Sequence, residues 1–166
     1  MLEKTGKTPF YARGLKFSCI RCSACCRYES GYVFLSKIDA SSLGEALNMG
    51  YMDFVRTYCR WIPGDHGKER LSLREKSNYD CIFWKDGCAV YDARPLQCRS
   101  YPFWRSVLTS ADEWQRNAGE CPGAGNGVLH SYQSIENWLA RRQSEPVIER
   151  TVDDRTVEER PPIKDA

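Results

Sequence analysis

The sequence has little of what exported, membrane-spanning or nucleic-acid-binding proteins require. Its formal net charge is only +2 over 166 residues, which gives no basis for expecting nucleic acid or a membrane surface as a partner. No stretch approaches the roughly 20 apolar residues that a membrane span needs. The segment 1–17 is charged and has no apolar run, unlike a signal peptide. The composition therefore predicts a cytoplasmic protein without a nucleic-acid or membrane partner.

Histidine is also scarce, and no group of residues has the pattern of a nucleophilic active site. The two histidines, His66 and His130, have no partner at metal-ligand spacing. No glycine-rich fingerprint follows a predicted strand, as a bound nucleotide-like cofactor would require. The glycine-rich segment 123–127 follows a cysteine motif instead, and we predict a flexible connector there. The sequence therefore identifies no catalytic residue.

Cysteine, in contrast, is abundant. The chain has nine cysteines, an odd number, and cytosolic thiols stay reduced, so a disulfide framework is not expected. Thiolates are soft ligands that suit zinc, copper(I) and iron–sulfur clusters. Four of them form one tight motif with two-residue spacers, namely Cys19, Cys22, Cys25 and Cys26. This spacing predicts a metal site.

The adjacent pair Cys25 and Cys26 suggests more than one centre. Neighbouring side chains generally point apart, so we expect either two centres close in space or one centre with a spare thiol. Four downstream cysteines bring the candidate ligands to eight: Cys81, Cys88, Cys98 and Cys121. We leave Cys59 out, because it falls on the apolar face of a predicted helix and free cysteine is commonly buried as a small hydrophobe.

The motif carries some information about the metal. The run from Cys19 to Cys25 has the spacing that opens the bacterial ferredoxin ligand motif, whose last cysteine precedes proline. A Cys-Pro pair occurs here only far downstream, at Cys121-Pro122. This half-match favours an iron–sulfur cluster as cofactor over zinc, which accepts the same ligands.

Helix and strand signals alternate irregularly along the chain and predict a small α+β fold. Ser36 and Asp39 form a capping signal for the first helix. Cys81 and Cys88 flank a hairpin signal, and in a regular hairpin they would stand roughly 13 Å apart, too far for one zinc. The predicted helices cover 37–48, 51–60 and a segment after Ser131 or Ser134; the predicted strands are 71–73, 81–84, 88–91 and 103–108.

The predicted organisation is one metal-organised domain with loose ends. Residues 1–16 are polar and form a lead-in, and residues 17–145 hold every cysteine. Residues 146–166 are charged and nearly free of aromatic residues, which is typical of a flexible tail. We therefore expect an irregular single α+β domain with a few helices and short strands around cysteine-ligated metal.

Several segments in order resemble a known family. They are Phe17–Cys26, Leu35-Ser36, Cys81–Phe83, Cys88–Tyr91, Arg94-Pro95, Cys98–Pro102 and Glu120–Gly123. Together they resemble the YkgJ family of cysteine-cluster proteins, described as zinc- or iron-chelating, over roughly residues 17 to 127. The resemblance implies the same eight cysteines as ligands and a metal ion or cluster as partner. A similar cluster occurs in enzymes that methylate flagellin lysines, which implies an enzyme as one possibility.

Three functions remain open at this point. The first is an iron–sulfur protein for electron transfer or metal handling, and the second is a structural-zinc interaction module. The third is a metal-dependent enzyme related to the flagellin lysine methylases, which would need a pocket with polar groups beside the cysteines. In each case we expect Arg94 and Arg99 to offset thiolate charge. The sequence does not identify a protein partner.

Overall fold

Two small antiparallel sheets and five helices make up residues 8–151, the part of the chain that the computed structural model describes. This is the predicted α+β class. The strands are β1 (Leu15–Phe17), β2 (Cys59–Pro63), β3 (Lys68–Leu73), β4 (Ala124–His130) and β5 (Glu149–Thr151). The helices are α1 (Lys37–Ala46), α2 (Tyr51–Tyr58), α3 (Leu96–Ser100), α4 (Ala111–Ala118) and α5 (Tyr132–Ser144).

Helix α1 begins where its capping signal predicts. The Ser36 hydroxyl accepts a hydrogen bond from the Asp39 amide, and the Asp39 carboxylate accepts one from the Ser36 amide. These reciprocal bonds satisfy amides that the first turn of a helix otherwise leaves without partners. Helix α5 likewise begins after Ser131, whose hydroxyl accepts from the Ser134 amide.

Helix α2 is shorter than predicted. It ends at Tyr58, and Cys59 begins β2 instead of lying on the helix. The apolar residues keep a helical spacing beyond the end of α2 because Cys59, the first residue of β2, is also buried in the core. Cys59 is 3% exposed, so its interpretation as a buried, hydrophobic thiol is confirmed.

Strand β3 is the centre of the larger sheet, in the order β2-β3-β5. Strand β5 pairs with it antiparallel, with Arg150 opposite Glu69 and Glu149 opposite Arg70. The predicted tail therefore contributes a strand at 149–151. Charge composition did not reveal this strand, because its charged residues pair with residues of β3, far away in sequence. The rest of the predicted tail, 152–166, lies outside the described residues.

The smaller sheet pairs β1 with β4, which corrects the prediction of a flexible connector at 123–127. The glycines there allow close approach rather than flexibility. Gly127 has φ +77°, and a Cβ on it would collide with the Ser18 hydroxyl. At the other end of the chain, Tyr11 in the predicted lead-in is buried, while residues 1–7 lie outside the described part.

Three predicted strands, 81–84, 88–91 and 103–108, are wrong. Around residues 81–91 the structure has isolated bridges, Glu75 with Cys81 and Trp84 with Cys88, rather than a regular hairpin. The segment 103–108 consists of turns, although Phe103, Val107 and Leu108 are buried. Their apolar pattern reflects burial without strand pairing.

The core has two parts, and each adjoins cysteines. The larger cluster packs Leu35, Leu43, Phe54 and Leu71 between α1, α2 and the three-stranded sheet. The smaller cluster, which includes Ile135, lies between β1 and α5. No helix within residues 8–151 has the length and apolar character that crossing a membrane requires.

Candidate metal centre

The first cysteine segment is anchored at its start by β4. The Ser18 amide donates to the Gly123 carbonyl at 3.2 Å, and the Ser18 hydroxyl accepts from the Val128 amide at 3.0 Å. Cys19 therefore follows a residue that is bonded to Gly123, and Gly123 lies two residues after Cys121. The segment then runs without regular structure to a short 3₁₀ turn, Ala24–Cys26.

The second cysteine segment is joined to this turn through the backbone. The Cys81 amide donates to the Cys26 carbonyl at 2.8 Å. Cys98 lies on α3, which begins directly after Pro95, a residue that favours the first turn of a helix. These local structures bring cysteines that are far apart in sequence to one side of the molecule.

The thiols of Cys25 and Cys26 lie side by side. Their Sγ atoms are 3.8 Å apart, so the expectation that adjacent cysteines point apart is wrong here. The 3₁₀ turn, which is tighter than extended chain, sets both side chains on one side. Two sulfurs bonded at about 2.3 Å to one tetrahedral ion would stand about 3.8 Å apart. The pair therefore has the spacing of two ligands on a single ion.

Five thiols act electrostatically on one another and form what we term the central thiol group: Cys25, Cys26, Cys81, Cys88 and Cys98. Burial raises the pKa of Cys98, and the neighbouring Cys81, Cys25 and Cys88 raise it further. The hydrogen bond with Cys25 raises the pKa of Cys26, with burial and the nearby Cys98 and Cys81 adding to it. Such mutual effects require these sulfurs to be close in space.

Cys25 has the opposite electrostatic balance. Its hydrogen bond with Cys26 lowers the pKa of Cys25 to about 7, and the positive charge of Arg94 contributes. The Arg94 guanidinium stacks on the Tyr91 ring at 3.6 Å and donates to the Tyr91 carbonyl. Arg94 is thus held where its charge favours thiolate in the central thiol group.

Two of the three remaining candidate ligands, Cys121 and Cys22, lie near Tyr101. We term all three the outer thiol group: Cys19, Cys22 and Cys121. Burial raises the pKa of Tyr101, and the charge of Cys121 and a hydrogen bond with it add to the effect, as do Cys25 and Cys22 to a smaller extent. Cys19 is placed beside them by the bond between Ser18 and Gly123. The eight candidate ligands therefore form a central group of five and an outer group of three, and Cys25 acts on Tyr101 as well as on the central thiols.

Other arginines fix the walls of the site. Arg27 lies 3.7 Å from the Trp84 ring and pairs with the buried Asp80 at 3.1 Å. Arg99 lies 3.9 Å from the buried Asp39 rather than beside a sulfur. Of the two arginines expected to offset thiolate charge, the described contacts place only Arg94 in that role.

A cavity of about 220 Å³ opens beside the central thiol group. Four of the five thiols line it, together with aromatic side chains and the carboxylates of Glu29 and Glu75. The aromatic rings Tyr32, Tyr101 and Trp104 form its apolar wall. Cys25 is exposed and the other three cavity thiols are half-buried, so the arrangement gives a small molecule access to the sulfurs.

The donor chemistry of the site fits zinc or iron. All nine cysteines, which fall within the described residues, are free thiols, and thiolates are preferred ligands of both metals. Across residues 8–151, however, no three His, Cys, Asp or Glu side chains already stand in a metal-holding arrangement. The sulfur pair has ligand spacing, and the other thiols must move inward when an ion binds.

Two residues that position the site were not predicted. The Gln97 side chain accepts from the Phe34 amide and donates to the Tyr32 carbonyl, which ties α3 to the segment before α1. The Asp39 carboxylate, predicted only as a cap, also accepts from the Leu96 amide at 2.7 Å. Both contacts join residues far apart in sequence, so no local pattern could indicate them.

Comparison with known proteins agrees with the chemistry of the site. The chain is 28% identical over 106 residues to uncharacterized protein MJ0661 of Methanocaldococcus jannaschii, a match covering 62% of this chain and 53% of that protein. It thus spans about half the length of this curated relative. No solved structure matches. Residues 18–122 match the CxxCxxCC family, described as a "putative zinc- or iron-chelating domain". The chain therefore belongs to the CxxCxxCC family of zinc- or iron-chelating domains.

Proposed function

We propose that this protein chelates a single zinc or iron ion through its central thiol group, with Cys25, Cys26, Cys81 and Cys98 as ligands. The observation that carries the proposal is the 3.8 Å separation of the Cys25 and Cys26 sulfurs. Cys98 and Cys81 both act electrostatically on Cys26, which supports their inclusion. Cys88 acts on Cys81 and Cys98 and is the spare thiol of the group.

The spacing of the pair also bears on the kind of centre. Two thiolates on one ion is the arrangement of a mononuclear zinc or iron site, and of each iron in a [2Fe–2S] cluster. In a [4Fe–4S] cluster each iron takes one thiolate, so its cysteine sulfurs stand farther apart. The pair spacing therefore argues against a [4Fe–4S] cluster of the kind that the ferredoxin-like motif favours, and metal content distinguishes a single ion from the two irons of a [2Fe–2S] cluster.

The chain's own residues would supply the environment of the ion. Thiol protons must leave when the sulfurs bind, and Arg94 lowers the cost of the resulting charge at Cys25. Tyr101 and Trp104 limit water at the cavity wall. A bound zinc or iron ion would supply structural stability and, at an open position, Lewis acidity.

A second candidate function is a metal-dependent enzyme, which the cavity beside the thiols favours. A structural site is normally closed, whereas a catalytic one keeps access for a substrate. The cavity of about 220 Å³ places Glu29, Glu75 and Arg74 within reach of a molecule that contacts the sulfurs. Its volume suits a small substrate or one side chain of a larger one.

Metal content and a visible spectrum of anaerobically purified protein test the primary proposal. We expect one zinc or iron ion in the central group and, after cobalt substitution, the charge-transfer bands of a tetrahedral thiolate site. Cys26→Ser should abolish that ion, and Cys59→Ser is the matched control that should retain it. A second ion lost only in Cys121→Ser would belong to the outer thiol group.

Two results would contradict the proposal. A spectrum of a [4Fe–4S] cluster would replace the mononuclear centre with the ferredoxin-like one. Full metal content in folded Cys26→Ser protein would remove the adjacent pair from the ligand set. A pocket variant, Glu75→Gln, that keeps its metal but loses binding of a small-molecule substrate would favour the enzyme candidate.

A further inference from the structure

A second cavity, separate from the one beside the sulfurs, lies between α5 and the turns that follow α3. It has a volume of about 270 Å³. Its polar lining comes from two arginines, two glutamines and a serine, namely Arg105, Arg142, Gln97, Gln143 and Ser106. None of the described residues that line it is acidic, so its lining is positively charged.

Arg142 is the least satisfied group in this cavity. One of its terminal nitrogens, Nη2, is buried and has no hydrogen-bond partner within residues 8–151. The other, Nη1, donates to the Glu145 main-chain carbonyl at 3.4 Å. Arg141 engages one oxygen of the Glu145 carboxylate, Oε1, at 2.7 Å. The other, Oε2, is buried and, like Arg142 Nη2, has no hydrogen-bond partner within residues 8–151. A buried charged donor without an acceptor is unfavourable, and an acceptor entering the cavity would remove that cost.

We propose that this cavity binds a small molecule bearing a carboxylate or phosphate group, held by Arg142 and Arg105. The planar guanidinium of arginine matches the paired oxygens of both groups and donates to them in parallel. Gln143 and Ser106 add neutral donors at the rim. Leu139 gives the cavity an apolar side, which suits an organic anion with a short carbon chain.

The position of the cavity connects it to the sulfur region. Gln97 and Trp104 line both cavities, and the Trp104 indole donates to the Gln97 carbonyl at 2.8 Å. A bound anion would therefore contact the residue next to Cys98 on α3. Binding of the anion itself does not depend on the metal, so its failure and the failure of metal chelation are separable.

Titration of the purified full-length protein with inorganic phosphate, and separately with succinate, tests the proposal. At constant ionic strength we expect saturable shifts of the Arg142 side-chain and Gln143 amide resonances in ¹H–¹⁵N spectra. The anion that binds more tightly identifies the class of ligand. Arg142→Met should weaken binding about tenfold or more, and the exposed Arg105→Met should weaken it severalfold without affecting folding.

Arg116→Met is the matched control, because Arg116 is an exposed helical arginine paired with Glu113 on α4. It should bind both anions as the unaltered chain does. Arg141 is unsuitable as a control, since its removal would leave both Glu145 carboxylate oxygens able to compete for Arg142. The proposal is overturned if neither anion gives saturable shifts, or if Arg105→Met and folded Arg142→Met both bind as tightly as the Arg116 variant.

Discussion

The three-stranded sheet and the cysteine region beside it are stabilised in different ways. Strands β2 and β3 pair continuously from Cys59 opposite Leu73 to Pro63 opposite Glu69, over a cluster that includes Leu43 and Phe54 at 0% exposure. The cysteine region, which we define as residues 76–104, has isolated bridges, a 3₁₀ turn and the five-residue α3. Among residues 8–151, buried polar atoms without a hydrogen-bond partner occur in both regions: Trp84 Nε1 and Arg99 Nε in the cysteine region, and Arg60 Nε in β2.

This difference indicates which of the two regions depends on metal for its stability. Burial of apolar surface is sufficient to hold the sheet region, and its backbone groups are paired by the sheet itself. The cysteine region has fewer regular hydrogen bonds, and metal binding contributes directly to folding where ligands come from separate segments. We infer that the sheet region folds without metal and that the cysteine region depends on it.

Cys98→Ser should give the largest effect and tests this division directly. Loss of one ligand should release the central ion and, with it, up to about 10 kcal/mol of apparent stabilisation of the cysteine region. Hydrogen exchange should show amides of residues 76–104 exposed while β2 and β3 stay protected. Equal loss of protection in both regions would break the comparison, because the sheet would then depend on metal too.

Phe54→Ala should lower the stability of the protein without releasing metal, the opposite of the Cys98 variant. Phe54 is 0% exposed between α1 and α2, so its truncation leaves a cavity and costs about 3–5 kcal/mol. Chemical denaturation measures the loss of stability. The metal-to-protein ratio of the folded fraction should be unchanged, since no ligand is touched. A parallel fall in that ratio would show that the two regions unfold as one unit.

Asp39→Ala should weaken both regions, because the Asp39 carboxylate joins them. It caps α1 through Ser36, and it accepts from the Leu96 amide at the start of α3. Removing it leaves the buried Leu96 amide without a partner and costs about 2–4 kcal/mol. Metal affinity should fall as well, because α3 carries Cys98. Asp53→Ala, a change at an exposed position on α2, is the control.

Local signals predicted the elements that local contacts stabilise. The Ser36 and Asp39 cap fixed the start of α1, and Ser131 fixed that of α5, because each cap is formed within one helical turn. Strands β4 and β5 were missed, since their pairing partners, β1 and β3, lie far away in sequence. Their composition alone predicted a connector and a tail.

The candidate site shows the same limit. The cysteine types and spacing were sufficient to propose all eight ligands, but not their division into groups of five and three. That division depends on the Ser18 contact with Gly123 and the Cys81 contact with Cys26, both made between separate segments. The side-by-side placement of Cys25 and Cys26 depends on a single 3₁₀ turn, which no residue pattern indicated.

Cys59→Ser should have the smallest effect and separates a buried thiol from a metal ligand. The hydroxyl would lack a partner in an apolar site, costing about 1–3 kcal/mol, with metal content unchanged. Burial raises the pKa of Cys59 from 9.0 to about 12, so the folded state favours the neutral thiol. That contribution to stability is complete below about pH 9 and is lost as the pH rises towards 12. Denaturation of metal-free protein across this range should therefore show a steeper decline for the unaltered chain than for the serine variant, and parallel declines would show that Cys59 ionises as readily folded as unfolded.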